Sequence, residues 1–347
     1  MVEVKGFVPD VRVDAGVHGP LAPEEPRLLK FIARRFASYT VMLFLATSGV
    51  YFLASWFLDP RSNYLALRPQ PPAESINSSL DYAGINDQTP IFERYWNWLT
   101  DIVLHWNWGY SPVGEPVSGI IWDRAWVSVQ LVTISTVLAI IIGIAIGVRA
   151  AIRKYKAFDH VTNSVSAVFL VMPSFVLALL VVLTYLTLQQ KFDLHWFAVT
   201  GLGDGTFFSY VQHLFLPTLV LTLVGYVGFH LTQRTYLLDT MNADFVRTAR
   251  AKGVPQNVAI RRHALRTSMI PTAYGIAFSI TGTVTGALFV EQIFAIHGAG
   301  LYFIESLSKN DINGSVAVAF LGGVATCAGL LLADIFVAFL DPRIRIS

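Results

Sequence analysis

The sequence is dominated by a series of apolar stretches, each long enough to cross a lipid bilayer. A bilayer-spanning helix needs about 20 consecutive, mostly apolar residues. Because lipid offers no hydrogen-bond partners, a spanning backbone must pair its own polar groups, and these continuous runs lack the alternation of barrel strands. We therefore predict an all-α integral membrane protein with six transmembrane helices, at residues 36–58, 125–148, 161–188, 214–233, 271–294 and 315–340.

The composition excludes several classes of soluble protein. Charged residues make up 14% of the chain and hydrophobic residues 54%, whereas soluble proteins carry roughly 25% charged residues. The single cysteine, Cys327, rules out an internal disulfide framework. A net charge of only +2 predicts no nucleic-acid partner. The expected surroundings of the chain are membrane lipids.

The distribution of basic residues predicts the orientation in the membrane. If the N-terminus is cytoplasmic, the segments 1–35, 149–160, 234–270 and 341–347 lie inside, and they hold 19 of the 25 Lys and Arg residues. Cytoplasmic segments of membrane proteins are enriched in Lys and Arg. Both termini are therefore predicted to be cytoplasmic.

Four regions follow from these spans. Residues 1–30 contain four prolines and no periodic apolar face, which predicts a flexible cytoplasmic extension, and 31–58 form the first transmembrane helix. The extracytoplasmic loop 59–124 has an aromatic, partly amphipathic stretch at 90–109 that predicts an interfacial helix; we prefer an ordinary lid over the helix ends as its role. Residues 125–345 form a five-helix core that includes the cytoplasmic loop 234–270.

The cytoplasmic loop is predicted to fold as a short helix, a sharp turn and a second helix. Asn242 or Asp244 is a suitable cap for the first helix, and Gly253 is suited to end it. Pro255 fits the first turn of the second helix. Two roles stay open on physical grounds: a basic strip on anionic lipid headgroups, or a docking lever for a cytoplasmic partner.

Motifs in this loop resemble a known family. The stretches Phe245-Val-Arg-Thr-Ala-Arg-Ala-Lys-Gly253 and Arg262-His-Ala-Leu-Arg266, followed by Pro271, are similar to the cytoplasmic signature of membrane-spanning subunits in binding-protein-dependent ABC importers. They resemble in particular the B-type permeases of the peptide/nickel branch, as does the closing Asp341-Pro-Arg. The sequence departs from the general pattern at Arg247-Thr-Ala249, in place of Glu-Ala-Ala, and at His297, in place of proline.

The resemblance implies a type I ABC importer permease in the cytoplasmic membrane of a bacterium or archaeon. Such a subunit forms half of a translocation path for dipeptides or oligopeptides and pairs with a second, homologous permease. Two ATPase subunits bind ATP and Mg, which this chain does not bind, and an extracytoplasmic binding protein delivers the substrate. The residues implied in ATPase coupling are Asp244, Phe245, Arg247, Thr248, Ala249, Arg250, Lys252, Gly253, Arg262, His263 and Arg266.

The residues themselves predict no catalytic site, in agreement with the transport role that the resemblance implies. The sequence has no Gly-x-x-x-x-Gly-Lys-Ser/Thr phosphate loop, and its scattered histidines predict no metal site. Asp334, inside the sixth span, is expected to pair with a basic group such as an Arg of 261–266. The alternative, an ion-coupled secondary transporter, would use Asp334 as a proton or sodium site.

The fifth span is rich in small and hydroxyl-bearing residues. Tight helix packing is the preferred interpretation. A second interpretation is that small polar side chains line the translocation path, with Glu291 as an outer-gate or loop-ordering residue. The candidate lining residues are Ser279, Thr283, Gly286 and Glu291.

Overall fold

A computed structural model describes residues 25–279 and 287–340. The described chain is almost entirely helical, without a β-strand, so the all-α prediction is confirmed. Helices α1 to α4 span Glu25–Phe57, Pro60–Leu65, Ala73–Tyr82 and Ile91–His105, and α5 to α8 span Val117–Ile152, Ala157–Val171, Ser174–Phe192 and Phe207–Met241. Helices α9 to α14 span Asp244–Ala251, Gln256–Ala259, Leu265–Ser279, Leu288–Ile293, Ala299–Ser308 and Ile312–Leu340.

Five helical segments of the described chain are long and apolar enough to cross a membrane: Lys30–Leu65, Val117–Ile152, Ser174–Phe192, Phe207–Met241 and Ile312–Ile335. The predicted third span is divided, because α6 ends at Val171 and α7 starts at Ser174. Pro173 between them has no N–H to donate and fixes its own φ, which interrupts the helix. Within the predicted fifth span, 280–286 lie outside the described residues. The count of six spans and the sidedness of the termini therefore stay predictions.

Several helices begin earlier or end later than predicted. Helix α1 already starts at Glu25, so residues 25–30 are not part of a flexible extension, and residues 1–24 lie outside the described residues. Helix α8 continues to Met241, which shortens the loop predicted at 234–270 to 242–264. Polar residues at both helix ends hid these extensions from a search for apolar runs.

Helices α5 and α8 form the most extensive helix pair of the described chain. A Cβ atom at Gly143 would lie 2.6 Å from the backbone oxygen of Tyr226, and one at Gly147 would lie 2.7 Å from that of His230. The two backbones therefore touch where glycine removes the side chain, as is common between helices in lipid. This contact aligns the inner halves of α5 and α8.

The two ends of α5 carry different structures. Helices α2, α3 and α4 form a cap over α1, α14 and the start of α5, with a core that includes Tyr51, Leu80 and Trp98. Helices α9 and α10 lie at the other end, against Ala151. Because α5 has 36 residues, the cap and the loop are about 54 Å apart.

Helix α4 is the predicted aromatic helix of the long loop. Its Arg94, Trp98 and Ile102 are buried in the cap, whereas Phe92 and Trp96 on another face are exposed. The helix is thus a packed part of a lid over the helix ends, with one apolar face left open.

The glycine contact predicts a sharp difference between two substitutions in α5. Replacement of Gly143 by alanine forces backbones apart, and overpacking typically costs 1–3 kcal/mol, so we expect a lower thermal midpoint in detergent. Gly119→Ala is the matched control, because nothing lies within 4 Å of a Cβ there and alanine favours the helix. Equal midpoints for the two variants would contradict the close contact.

The start of α14 predicts a pH-dependent stability. Asp311 accepts a hydrogen bond from the Gly314 amide (2.9 Å), and burial raises the pKa of this carboxyl to about 6. The folded state thus binds the proton more tightly than the unfolded state, so this group destabilises the fold as pH rises from about 4 to 6 and above. We expect Asp311→Asn to be more stable than the parent at pH 8 and to lose that advantage near pH 4, measured by thermal unfolding. An advantage that is constant with pH would contradict the assignment.

Candidate functional site

Helix α9 is the first element of the predicted coupling loop. Its N-cap is Ala243, in an extended conformation and without a side-chain cap, so the prediction that Asn242 or Asp244 caps it is wrong. The Asn242 amide instead donates to the Leu238 carbonyl (3.1 Å), which helps to end α8. Asp244 lies in the first turn of α9, where a carboxylate favours the helix dipole.

The turn after α9 is made by Gly253. Its φ is +87°, a conformation that glycine adopts without steric cost. The Val254 amide donates to the Ala249 carbonyl (3.2 Å) and the Gly253 amide to the Arg250 carbonyl (2.9 Å). This pair of bonds satisfies the end of the helix and fixes the angle at which the chain turns back.

The second part of the loop leads into α11 without a break. Pro255 is the N-cap of α10 rather than a first-turn residue, and a π-helical turn at Ile260–Ala264 joins α10 to α11. Arg262 and Arg266 are exposed and His263 is half-buried. The basic groups of this segment thus lie on the outside of the same compact loop.

The loop is held to the helices by apolar contacts. Val246 of α9 is buried with Ala151 of α5, Leu237 of α8, and Ala259 and Ile260. The opposite side of α9 is open. Its exposed or half-exposed side chains are Asp244, Phe245, Arg247, Thr248, Ala249, Arg250 and Lys252. One face of the short helix therefore packs against α5 and α8, while the other face is exposed and available to a partner.

A polar network that the sequence analysis missed fastens α8 to α6 next to this loop. Arg234 donates two hydrogen bonds to Asp159, from Nε (2.6 Å) and Nη2 (2.8 Å). Asn163 and the Tyr155 amide also donate to the Asp159 carboxylate. The only sequence signal is that Asp159 and Arg234 each lie at a predicted span end, and the sequence alone does not pair them.

A second set of buried contacts fastens α8 to α11 and α6. The Gln233 amide donates to Ser268 (3.0 Å) and its oxygen accepts from Thr272 (2.5 Å). One turn away, His230 Nδ1 lies 2.7 Å from the Ser166 hydroxyl. The side chains of His230, Gln233 and Arg234 thus contact two neighbouring helices, α6 and α11, and the α8 backbone contacts α5.

Asp334 is paired, but with a different partner from the one predicted. Its carboxylate accepts from Tyr39 (2.6 Å) and lies 3.3 Å from Arg35 Nε. The predicted pairing with a basic group is therefore present, but the basic group is Arg35 and not an Arg from 261–266. Sequence distance gives no clue that α14 returns beside α1, which the fold shows.

The candidate lining residues are only partly described. The Ser279 hydroxyl donates to the Ile276 carbonyl of its own helix (2.7 Å), and Thr283 and Gly286 lie outside the described residues. Glu291 is fully buried and accepts from Ser128 of α5 (2.5 Å) and the Leu301 amide (3.0 Å). The Glu291 carboxylate thus orders the turn into α13.

Several known proteins are similar to this chain over nearly its whole length. The family model described as "binding-protein-dependent transport system inner membrane component" matches residues 109–346. The oligopeptide transport system permease protein OppB of Mycobacterium tuberculosis is 35% identical over 333 residues, which cover 92% of this chain and all of the relative. AppB of Bacillus subtilis, also an oligopeptide transport system permease protein, is 30% identical over 90% of this chain and 98% of its own. OppB of Escherichia coli is 28% identical over 92% of this chain and all of its own.

The class follows from these findings together with the fold. The helices are those of a membrane chain, and the family match makes the chain a permease subunit of a transporter, not an enzyme. The chain belongs to the family of binding-protein-dependent transport system inner membrane components, as the resemblance of its loop motifs predicted.

The Asp159–Arg234 pair predicts a strongly non-additive mutant cycle. The Asp159 side chain is only 2% exposed, so Arg234→Met leaves a buried carboxylate without its cation, at an expected cost of about 3–5 kcal/mol. The double variant with Asp159→Asn should recover much of this loss, measured by thermal unfolding in detergent. Lys156→Met, a nearby exposed lysine, is the control and should leave the midpoint unchanged. Additive losses would contradict a tight pair.

Proposed function

We propose that this chain is the permease subunit of an ATP-driven importer of oligopeptides and forms half of the translocation path. The observation that carries the proposal is the loop 242–264, which is held to α5 and α8 through Val246 and leaves its other face open. The relatives that bear the name oligopeptide transport system permease support the choice of substrate.

The proposed assembly contains several further chains. A second, homologous permease completes the path, two ATPase subunits bind ATP and Mg, and a binding protein delivers the peptide from outside the membrane. The family description itself refers to a binding protein. The open face of α9, with Phe245 and the basic residues Arg247, Arg250 and Lys252, suits a cleft with an apolar floor and an acidic rim.

The loop acts in this proposal as a lever. When the ATPases close, α9 moves with them, and the apolar contacts of Val246 carry the motion to the inner ends of α5 and α8. The Arg234–Asp159 pair and the Gln233 bonds carry it further to α6 and α11. Because α11 forms the first part of the fifth predicted span, the motion would reach that span, which holds the candidate lining residue Ser279.

The ion-coupled alternative has less support. Asp334 lies against Arg35 and Tyr39 in the N-terminal half of α1, so its charge is already compensated. A proton or sodium site requires a carboxylate that is free to exchange its ion. The paired Asp334 therefore fits a structural role, and an Asp334→Asn variant that retains ATP-driven uptake would agree with it.

The lever predicts a specific loss of coupling at Gly253. A side chain there is strained because φ is +87°, although nothing lies within 4 Å; the left-handed conformation costs roughly 1–2 kcal/mol for other residues. We expect Gly253→Val to insert in the membrane normally, while ATPase copurification and peptide-stimulated ATP hydrolysis fall at least fivefold.

The matched control is Gly205→Val, which lies in front of α8 at the end away from the loop. Its φ is also +87° and its surroundings are also open, so the local strain is the same. Coupling should persist in this variant. If both variants lose coupling equally, or if Gly253→Val retains it, the loop is not the lever.

A further inference from the structure

The cap contains a cavity of about 260 Å³ that the lever does not involve. It lies between the turn after α3, one face of α4 and the start of α14, at the opposite end of α5 from the loop. Its lining is strongly polar for a pocket in a chain with so few charges. The lining residues that matter here are Asp81, Glu93, Arg94, Asn97, Trp98 and Asp101.

Arg94 is a buried cation without an anion. The residue is 9% exposed, and its Nη1 donates to the Ile85 carbonyl (3.1 Å). Its Nε has no acceptor among the described residues, and no described carboxylate lies within 4 Å of the guanidinium. A buried, unpaired charge is costly, so a ligand that supplies a carboxylate would stabilise this group strongly.

Trp98 lines the same cavity next to Arg94. The residue is 8% exposed, and its indole Nε1 has no acceptor among the described residues. Arg94 and Trp98 are four residues apart on α4, which places them next to each other on the helix surface. Arg94 Nε and Trp98 Nε1 are both enclosed by protein atoms, so a carboxylate in the cavity would contact the Nη end of the guanidinium, and Trp98 forms the wall beside it.

The rim of the cavity has the opposite charge. Glu93, Asn97 and Asp101 follow one another at four-residue spacing on α4, and all three are exposed. Asp81, on α3, is exposed as well. Asp101 has only a distant contact to exposed His105 (3.8 Å), and Glu93 has no basic partner among the described residues. The cavity therefore offers the buried Arg94 to an anionic group of a ligand and the exposed Glu93 and Asp101 to a cationic group.

We propose that this cavity binds a short zwitterionic peptide, with its free carboxylate on Arg94 and its ammonium group at the acidic rim. The choice of a peptide, rather than another zwitterion, rests on the proposed function. A carboxylate side chain of a docked protein would satisfy Arg94 but would bring no ammonium group for Glu93 and Asp101. The volume suits one or two residues, so the site holds a peptide end rather than a whole oligopeptide.

The test measures direct binding to the full-length chain in lipid nanodiscs by isothermal titration calorimetry, without the other subunits. The probes are dialanine, its C-terminal amide and its N-acetyl derivative. We expect saturable 1:1 binding of dialanine, at least tenfold weaker binding of the amide and at least threefold weaker binding of the N-acetyl form. No saturable binding, or equal affinity for the amide, would overturn the proposal.

Variants identify the cavity as the site. Arg94→Gln should abolish binding, and Glu93→Gln, at the exposed rim where folding is undisturbed, should weaken it at least threefold without restoring affinity for the amide. Arg68→Gln is the control, because this arginine of the cap contacts only nearby carbonyl groups and does not line the cavity. Binding that survives both cavity variants would place the peptide elsewhere and overturn the proposal.

Three further outcomes distinguish a peptide carboxylate from a carboxylate of a docked protein, and distinguish failure of the cavity site from failure of the proposed importer function. If dialanine fails to bind but Arg94→Gln weakens docking of a substrate-free binding protein, the carboxylate belongs to that protein and the peptide site is refuted. Peptide uptake by the intact importer without dialanine binding refutes the cavity alone. Dialanine binding without ATP-driven peptide uptake refutes the proposed function and leaves a binding site.

Discussion

The contact between the backbones of α5 and α8 is the constraint on which the other features depend. Gly143 and Gly147 leave no side chain between the helices, and a Cβ at either position would collide with backbone atoms of α8. Apolar side chains gain little free energy when they move from lipid into a helix contact. Helices in a membrane are therefore held together by close van der Waals packing of this kind. The closely packed pair connects the loop at one end of α5 with the cap at the other end.

The proposed lever depends on the C-terminal half of α8, whose polar side chains contact several helices. His230, Gln233 and Arg234 lie within about one turn and contact α6 and α11. Buried polar contacts are costly to break singly, because each leaves an unsatisfied partner. Elements joined in this way move together or separate as a unit, which is the property that a switch between two conformations requires.

The sequence predicts the helices far better than the contacts between them. The length of the apolar runs predicted the spans, and Gly253 followed two residues later by Pro255 predicted the turn, because both are local properties of the chain. The Asp159–Arg234 pair and the Arg35 partner of Asp334 are not local, since they join residues far apart in sequence. The extra turns of α1 and α8 were missed because polar residues at helix ends resemble loops in a search for apolar runs.

The cap covers helix ends of α1, α5 and α14 that would otherwise be exposed. The outer ends of α1, α5 and α14 expose backbone groups and apolar side chains, and the Asn313 amide, which donates to the Ala83 and Tyr110 carbonyls (2.9 Å each), seals them to the cap. A lid made only for this purpose would bury apolar residues. A lid that also buries the Arg94 cation beside a cavity carries an electrostatic cost, and a ligand with a carboxylate removes that cost.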